Sequence, residues 1–181
     1  MFQDSLSMQQ AINGMTLPTV WFLFGLSGSG KSFAGDVLSR HYGWPVYHAD
    51  DDITSAMREA LNTAQPFTDA MRDEFFVVLL QTIRQRVSRE PDKPLIVTQG
   101  AYKQRHRDWL NARLPQIRFI WVKSDPQLIV DRLRSRRDGI SVASASALTN
   151  DFEAPDPKAE VLVNDGSADD ILLQFQALLR G

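Results

Sequence analysis

The side chains best placed for chemistry stand early in the chain, where Gly25-Leu26-Ser27-Gly28-Ser29-Gly30-Lys31-Ser32 matches G-x-x-x-x-G-K-[ST] in full. Glycines at 25, 28 and 30 let the backbone turn its N–H groups toward one anion, and a helix opening at the loop's end adds partial positive charge. Such a cradle suits a triphosphate, with Lys31 reaching the β- and γ-phosphates and the Ser32 hydroxyl completing the shell of a bound Mg²⁺. A second cluster, Asp50-Asp51-Asp52, follows a β-prone stretch. Adjacent carboxylates repel one another unless a cation or a proton transfer uses them. One aspartate is therefore expected to be catalytic, with Asp51 or Asp52 capping the helix that follows. A third set, Arg132, Arg134, Arg136 and Arg137, crowds the end of one helix; Arg132 and Arg136 are four apart and share a face. Four arginines in six residues exceed what a helix dipole needs, which points to phosphate. Arg58 and Arg72 stand alone on helices and are candidates either to face an anionic substrate or to be merely solvated.

The elements that must position these groups alternate along the chain. Val20 to Phe24 is short, apolar and β-prone, the pattern of a strand buried on both faces, and it feeds the glycine loop. Phe33, Val37 and Leu38 recur at helical spacing up to a glycine C-cap at Gly43. Further strands are expected at Trp44 to Tyr47, Leu95 to Thr98, Ile117 to Val122 and Val161 to Val163. Helices are expected over Ile53 to Asn62, over Asp69 to Arg89 with Phe75, Leu79, Ile83 and Val87 on one stripe, after Gln99-Gly100-Ala101, from Pro126, and over Asp169 to Leu179. Thr68 or Asp69 caps the long one. The Ser- and Ala-rich stretch from Asp138 to Asn150 has no core signal and reads as a mobile lid. Alternating strands and helices predict an α/β fold, a parallel sheet with helices on both sides.

Bulk properties narrow the function. The chain has 181 residues, enough for one ordinary domain with a real core; Met1 to Pro18 reads as a surface extension and 19–181 as the single domain. Hydrophobic residues make up 43% and charged residues 23%, as in soluble globular proteins. A net charge of −2 gives no general attraction to nucleic acid. Cysteine is absent, which excludes disulfides, thiolate catalysis and Cys-ligated zinc. With no signal peptide and no apolar run near twenty residues, a cytoplasmic protein without a membrane partner is expected.

In this order the motifs resemble the P-loop small-metabolite kinases related to adenylate and shikimate kinases, and most closely the gluconate kinases (gluconokinases). The loop is nearly theirs. His48-Ala49-Asp50 stands where they have Asp-Gly-Asp, and Pro66-Phe67-Thr68-Asp69-Ala70-Met71-Arg72 is similar to their Pro-Leu-x-Asp-x-x-Arg. Ala101-Tyr102-Lys103 through Arg107-Asp108 is similar to Ala-Leu-Lys-x-x-Tyr-Arg-Asp, and Val130 to Arg137 to the lid-entry helix. Asp151-Phe152-Glu153 and Val161 to Asp165 resemble the later Gln-Phe-Glu and Val-Leu-Val-x-Asp stretches. The resemblance implies a three-layer α/β/α P-loop NTPase fold with a five-stranded parallel sheet, a helical substrate-binding insertion at about 52–89 and a short lid at about 137–152. It implies ATP held by Gly25, Ser27, Gly28, Ser29, Gly30, Lys31, Ser32 and Phe33, with Arg132 stacking on adenine. Asp50 would orient or accept the proton of the acceptor hydroxyl, and Arg136 would neutralise the phosphoryl group in flight beside Lys31. Arg58, Arg72, Lys103 and Arg107 would line the pocket of a small-molecule acceptor, gluconate first among them; Mg²⁺ would rest on Ser32, Asp50 and Asp51.

The departures lie on the acceptor side. His48 replaces an aspartate that supports magnesium through water, Asp138-Gly139-Ile140 stands for Gly-His-Phe after the lid arginines, and His106 stands for Tyr. Two further readings stay open: Asp50-Asp51 also resembles the Asp-Asp of polynucleotide 5′-kinases and antibiotic phosphotransferases, so another P-loop phosphotransferase acting on shikimate, a polynucleotide 5′-hydroxyl or an antibiotic is one, and the departures leave an ATP-binding regulatory module without transfer activity as the other. The oligomeric state also stays open, a homodimer included.

Overall fold

The computed structural model describes residues 17–135 and 142–181. The expected extension therefore falls outside the described residues over 1–16, and so do Arg136, Arg137 and Asp138-Gly139-Ile140.

Strand β1 (Val20–Phe24) is buried at all five positions and lies at the centre of the sheet. It leads through the glycine loop into α1 (Lys31–Tyr42), which ends where Gly43, at φ 68°, donates its N–H to Ser39 O. After β2 (Val46–His48) comes a 3₁₀ turn over Ala49–Asp52, then α2 (Ser55–Asn62) and the long α3 (Asp69–Arg89). The chain continues with β3 (Leu95–Thr98), α4 (Gln104–Arg113), β4 (Ile117–Lys123), α5 (Pro126–Ser135), α6 (Val142–Thr149), β5 (Glu160–Val163) and α7 (Ala168–Arg180). The strands order as β2-β3-β1-β4-β5, and every pairing is parallel.

Alternation along β1 divides the core between the two faces of the sheet. Val20, Phe22 and Phe24 pack with Phe75, Leu79 and Ile83 of α3 and Leu110 of α4. Trp21 and Leu23 face the other way, onto Val37 and Leu38 of α1 and Ile171, Phe175 and Leu179 of α7. The rings of Trp21 and Phe175 meet edge to face at 4.8 Å. Each such buried side chain is worth about 1.5–3 kcal/mol of transfer free energy. Two helical layers on one parallel sheet is the expected three-layer fold.

Several local expectations are corrected. Strand β2 starts at Val46: the Trp44 carbonyl accepts from Ser39 Oγ at 2.7 Å, Pro45 has no N–H to give the ladder, and the Trp44 ring stacks on Tyr42 at 4.6 Å at the core edge. The aspartates do not cap α2: the 3₁₀ turn carries them past, and Thr54 accepts from Met57 N–H. Thr68 caps α3 in the same way through Met71 N–H. Phe33 turns outward, 46% exposed, and so does not belong to the α1 core stripe. Within the proposed lid, 142–149 form helix α6 with Ala145 and Leu148 buried, so this part does carry a core signal.

Candidate active site

At the carboxyl ends of β1, β2 and β3 lies a cleft with two lobes, the edge where parallel sheets bind ligands. The outer lobe, about 270 Å³, is lined by Gly28, Gly30, Lys31, Ser32, Asp51 and Arg58 among others. The inner lobe is smaller, about 50 Å³, and lies between Phe67, Arg72, Phe75, Gly100, Tyr102 and Leu148. Ser27, Lys31, Asp50, Phe67 and Gln99 line both, so the boundary runs through a lysine and a carboxylate.

The glycine loop keeps its shape because side chains hold it from beneath. Asn164 Nδ2 donates to Ser29 O at 3.1 Å and Gly30 O at 3.3 Å, and Ser124 Oγ donates to Ser29 O at 3.0 Å. Arg132 donates to Gly28 O at 3.3 Å, Ser124 Oγ at 2.8 Å and Asn164 O at 2.8 Å. In a planar trans peptide the C=O and the next N–H point opposite ways. Pinning the Ser29 and Gly30 carbonyls thus turns the Gly30 and Lys31 N–H groups toward the cleft. Gly30 is required twice over: its φ is +83°, and a Cβ there would meet Asn164 Nδ2 at 1.9 Å. Lys31 is buried, and its Nζ donates to Leu26 O at 2.9 Å across the loop.

The three aspartates diverge. Asp52 accepts from Tyr47 O–H at 2.7 Å, and burial together with that carboxylate pushes the Tyr47 phenol up. Asp51 lines the outer lobe, while Asp50 sits on the boundary with Gln99 Nε2 3.5 Å from its Oδ1. Asp50 has surface open to the cleft, yet protein crowds around its carboxyl; that desolvation raises its pKa, against the pull of Lys31 and Gln99. A carboxylate that holds its proton more tightly than usual is a stronger base. His48 lines neither lobe: its ring bridges Thr98 Oγ1 at 2.8 Å and Asp36 Oδ1 at 2.9 Å, tying β2 to β3 and α1.

On the acceptor side the cations are already engaged. Arg72, 5% exposed, donates to Phe67 O and to Asp151 Oδ2, each at 2.8 Å, and presents part of its surface to the inner lobe. Lys103 lies 3.4 Å from Glu153 and 3.9 Å from Asp151, outside both lobes. Arg107 sits behind the inner lobe's wall, buried, donating to Ala101 O and Glu153 O at 2.6 Å each, with its guanidinium 4.8 Å from the centre of the Phe24 ring. There it holds Ala101 in the left-handed region, φ +43°, and the Ala101 N–H is bonded to Gln99 Oε1. Arg107 thus shapes the wall through Ala101 and Gln99. Arg58 does line the cleft, in the outer lobe; Phe33 lines neither lobe, and Arg132 lies under the loop with both terminal nitrogens donating to oxygen atoms there. Gln99, Tyr102, Ser124 and Asn164 are site residues that sequence patterns did not single out. Gln99-Gly100-Ala101 stood visibly at a strand's carboxyl end, the one available signal.

The donor set fits a nucleotide with magnesium. The loop presents backbone N–H groups, Lys31 and the Ser32 hydroxyl on one wall, and it sits too close to its supports for a Cβ at Gly28, which would press on Ile129 and Leu133, or at Gly30, which would press on Asn164. Among the described residues no group of three or more His, Cys, Asp or Glu forms a metal cage. Magnesium takes most of its ligands from phosphates and water, so on the protein's side the Ser32 hydroxyl and a lobe carboxylate, Asp50 or Asp51, are enough.

A parallel sheet with helices on both faces, a glycine loop at the end of its central strand and a carboxylate across from the loop lysine define a P-loop kinase. The chain belongs to the family described as AAA domain (AAA_18), whose model matches residues 22–146. It is 28% identical over 122 residues to a gluconokinase of Gluconobacter oxydans, covering 67% of each chain. To a probable gluconokinase of Mus musculus it is 31% identical over 96 residues, 53% of this chain and 51% of the relative, so that match spans about half of the mouse protein. Solved structures agree on the fold: a gluconokinase from Sinorhizobium meliloti superposes with a TM-score of 0.75 at 20% identity, covering 92% of this chain and 94% of the other. A sugar kinase from Janibacter sp. gives 0.76 at 20% identity over 89% and 94%. A shikimate kinase from Acinetobacter baumannii, solved with shikimate, gives 0.62 at 18% over 91% and 94%. The family resemblance and the fold read from the motifs are both borne out. Among the described residues no helix is long and apolar enough to cross a membrane.

Proposed function

We propose that this protein transfers the terminal phosphoryl group of ATP to a hydroxyl of a small polar metabolite, with gluconate or a related sugar acid as first candidate. The observation that carries the reading is the shared boundary: Lys31 and Asp50 line both the outer lobe, which has the loop, and the inner lobe, which has Arg72. The outer lobe holds the triphosphate on loop N–H groups, with Lys31 and Arg58 balancing its charge. Ser32, with Asp50 or Asp51 through water, holds magnesium, which when bound offsets charge on the phosphoryl oxygens. Asp50 accepts the proton of the attacking hydroxyl, a task its raised pKa favours. Arg72 offers positive charge to an anionic acceptor, while Phe67 and Leu148 restrict the inner lobe to something small. That restriction favours a metabolite over a polynucleotide end. Arg136, as in the motif reading, is assigned to the phosphoryl group in flight.

The test is coupled ADP release with MgATP over a panel of sugar acids, shikimate and a 5′-hydroxyl oligonucleotide. Acceptor-dependent turnover with a sugar acid supports the reading; turnover with the oligonucleotide alone would replace it. Normal ATP binding with no acceptor-dependent turnover would leave the regulatory module.

A further inference from the structure

One group at the lobe boundary has no part in the account above. Tyr102 lines the inner lobe, and its hydroxyl oxygen accepts from Ser27 N–H at 3.0 Å. Ser27 belongs to the glycine loop and lines both lobes, so its amide stands where a group passing between them must lie. A phenol oxygen on that amide occupies a place suited to a phosphoryl oxygen.

The placement is built. Gly100 is the seat for the Tyr102 ring, since a Cβ there would come within 2.9 Å of the ring edge. Phe152 meets the ring edge to face at 5.3 Å, and the Tyr102 carbonyl accepts from Glu153 N–H at 2.8 Å. Burial raises the phenol's pKa, the Ser27 hydrogen bonds oppose the rise and nearby Asp50 adds to it, so the group is protonated near neutrality. A phenol both accepts and donates. The Ser27 hydroxyl also lies against the phenol, and a turn of the O–H away from it offers the proton to a second partner.

We propose that Tyr102 is a phosphoryl-contacting residue: as a triphosphate settles in the loop, its hydroxyl passes from accepting the Ser27 amide to donating a hydrogen bond to a terminal phosphate oxygen. Amide and phenol then grip the group to be transferred from the loop side and the acceptor side together. The contact is made to the terminal phosphate only, so a diphosphate does not experience it. This rests on the nucleotide reading above, and the resemblance does not supply it, because the matching motif carries leucine at this position.

The experiment is calorimetric titration of the full chain, wild type and Tyr102→Phe, with ADP and with a non-hydrolysable imido analogue of ATP, magnesium present. The charge-assisted bond lost predicts that the phenylalanine variant binds the analogue roughly tenfold more weakly and ADP within about twofold of wild type. Turnover with acceptor falls at least as far, and Tyr102→Leu reproduces the pattern. Unchanged analogue affinity overturns the proposal. Tighter analogue binding overturns it too, because the phenol would then only plug the loop; an equal loss for both nucleotides would reduce it to a prop. Wild type that binds both nucleotides but turns over no acceptor defeats the kinase reading and leaves the Tyr102 ratio to be judged alone. Wild type that binds neither defeats both.

Discussion

The two walls of the cleft are held in opposite ways. On the nucleotide wall, Asn164, Ser124 and Arg132 reach up to loop carbonyls, so the protein's own side chains fix the backbone and the backbone's N–H groups are what the ligand meets. On the acceptor wall side chains themselves face the cleft, and neighbours fix them: Arg72 by Asp151 and the Phe67 carbonyl, Gln99 by the Ala101 N–H, with Lys103 paired to Glu153 outside the lobes. A backbone cradle suits what every triphosphate shares, while a wall of paired side chains can change its preference through one substitution. Of the departures from the family motif among the described residues, His106 stacks on Phe76 behind the acceptor wall, while His48 lies outside both lobes and ties β2 to β3 and α1.

The sharpest way to break this contrast is Asp50→Asn, which touches both walls. Turnover is expected to fall about a thousandfold, as when a general base is removed, with ATP affinity nearly unchanged by calorimetry. An equal loss in affinity would move Asp50 from the chemistry to the metal. The wild-type rate should rise with pH through an apparent pKa above the ordinary carboxylate range. Stability runs the other way. Below the unfolded carboxyl's pKa both states are protonated; as pH rises from there through the raised folded value, the folded state must release a proton it holds more tightly, and stability falls. Asp50→Asn escapes that loss, so its melting temperature should gain on wild type as pH rises through the interval.

Next in size is Arg72→Ala. It leaves Asp151 and the Phe67 carbonyl without their donor, and a cost of about 3 kcal/mol in denaturant unfolding is expected for breaking a mostly buried pair. The acceptor KM should rise while ATP affinity holds. Asn164→Ala is the matching cut on the other wall. Removing the donor to two loop carbonyls should weaken ADP and ATP analogue alike, by roughly tenfold, which separates a loop strut from the terminal-phosphate contact assigned to Tyr102.

How much of this was legible in the sequence follows the same division. The loop, β1 and α3 could be read because their signals are local: a contiguous motif, a run of five apolar residues, a helical stripe opened by a recognisable N-cap. Strand β2 starts later than its sequence suggests because Trp44 is as β-prone as a strand residue, while its carbonyl is bonded to Ser39 Oγ and its ring stacks on Tyr42. The capping role given to Asp51 and Asp52 failed because nothing local announces a 3₁₀ turn that carries them past the helix start. The site residues that escaped notice act across distance: Tyr102 meets Ser27 from 75 positions away, and Asn164 meets Ser29 from 135. Arg107 shows the converse, since its type and motif suggested a ligand-facing cation and only its surroundings reveal a wall support.

The smallest effects probe how each wall is joined to the rest of the molecule. Thr54 caps α2 beside the cleft, and Ser167 caps α7 through a reciprocal box with Asp170. Replacing either by alanine should cost about 1 kcal/mol of helix stability. The two losses should be seen by different measurements. Helix α7 buries Ile171, Phe175 and Leu179 in the core beneath the nucleotide wall, so Ser167→Ala should lower the global melting temperature. Helix α2 has eight residues and buries only Met57 and Ala60, so Thr54→Ala should show as faster amide exchange within α2 while global melting stays within error. If Thr54→Ala instead lowers global melting as far as Ser167→Ala, the α2 flank of the cleft unfolds together with the sheet and is not locally independent of it.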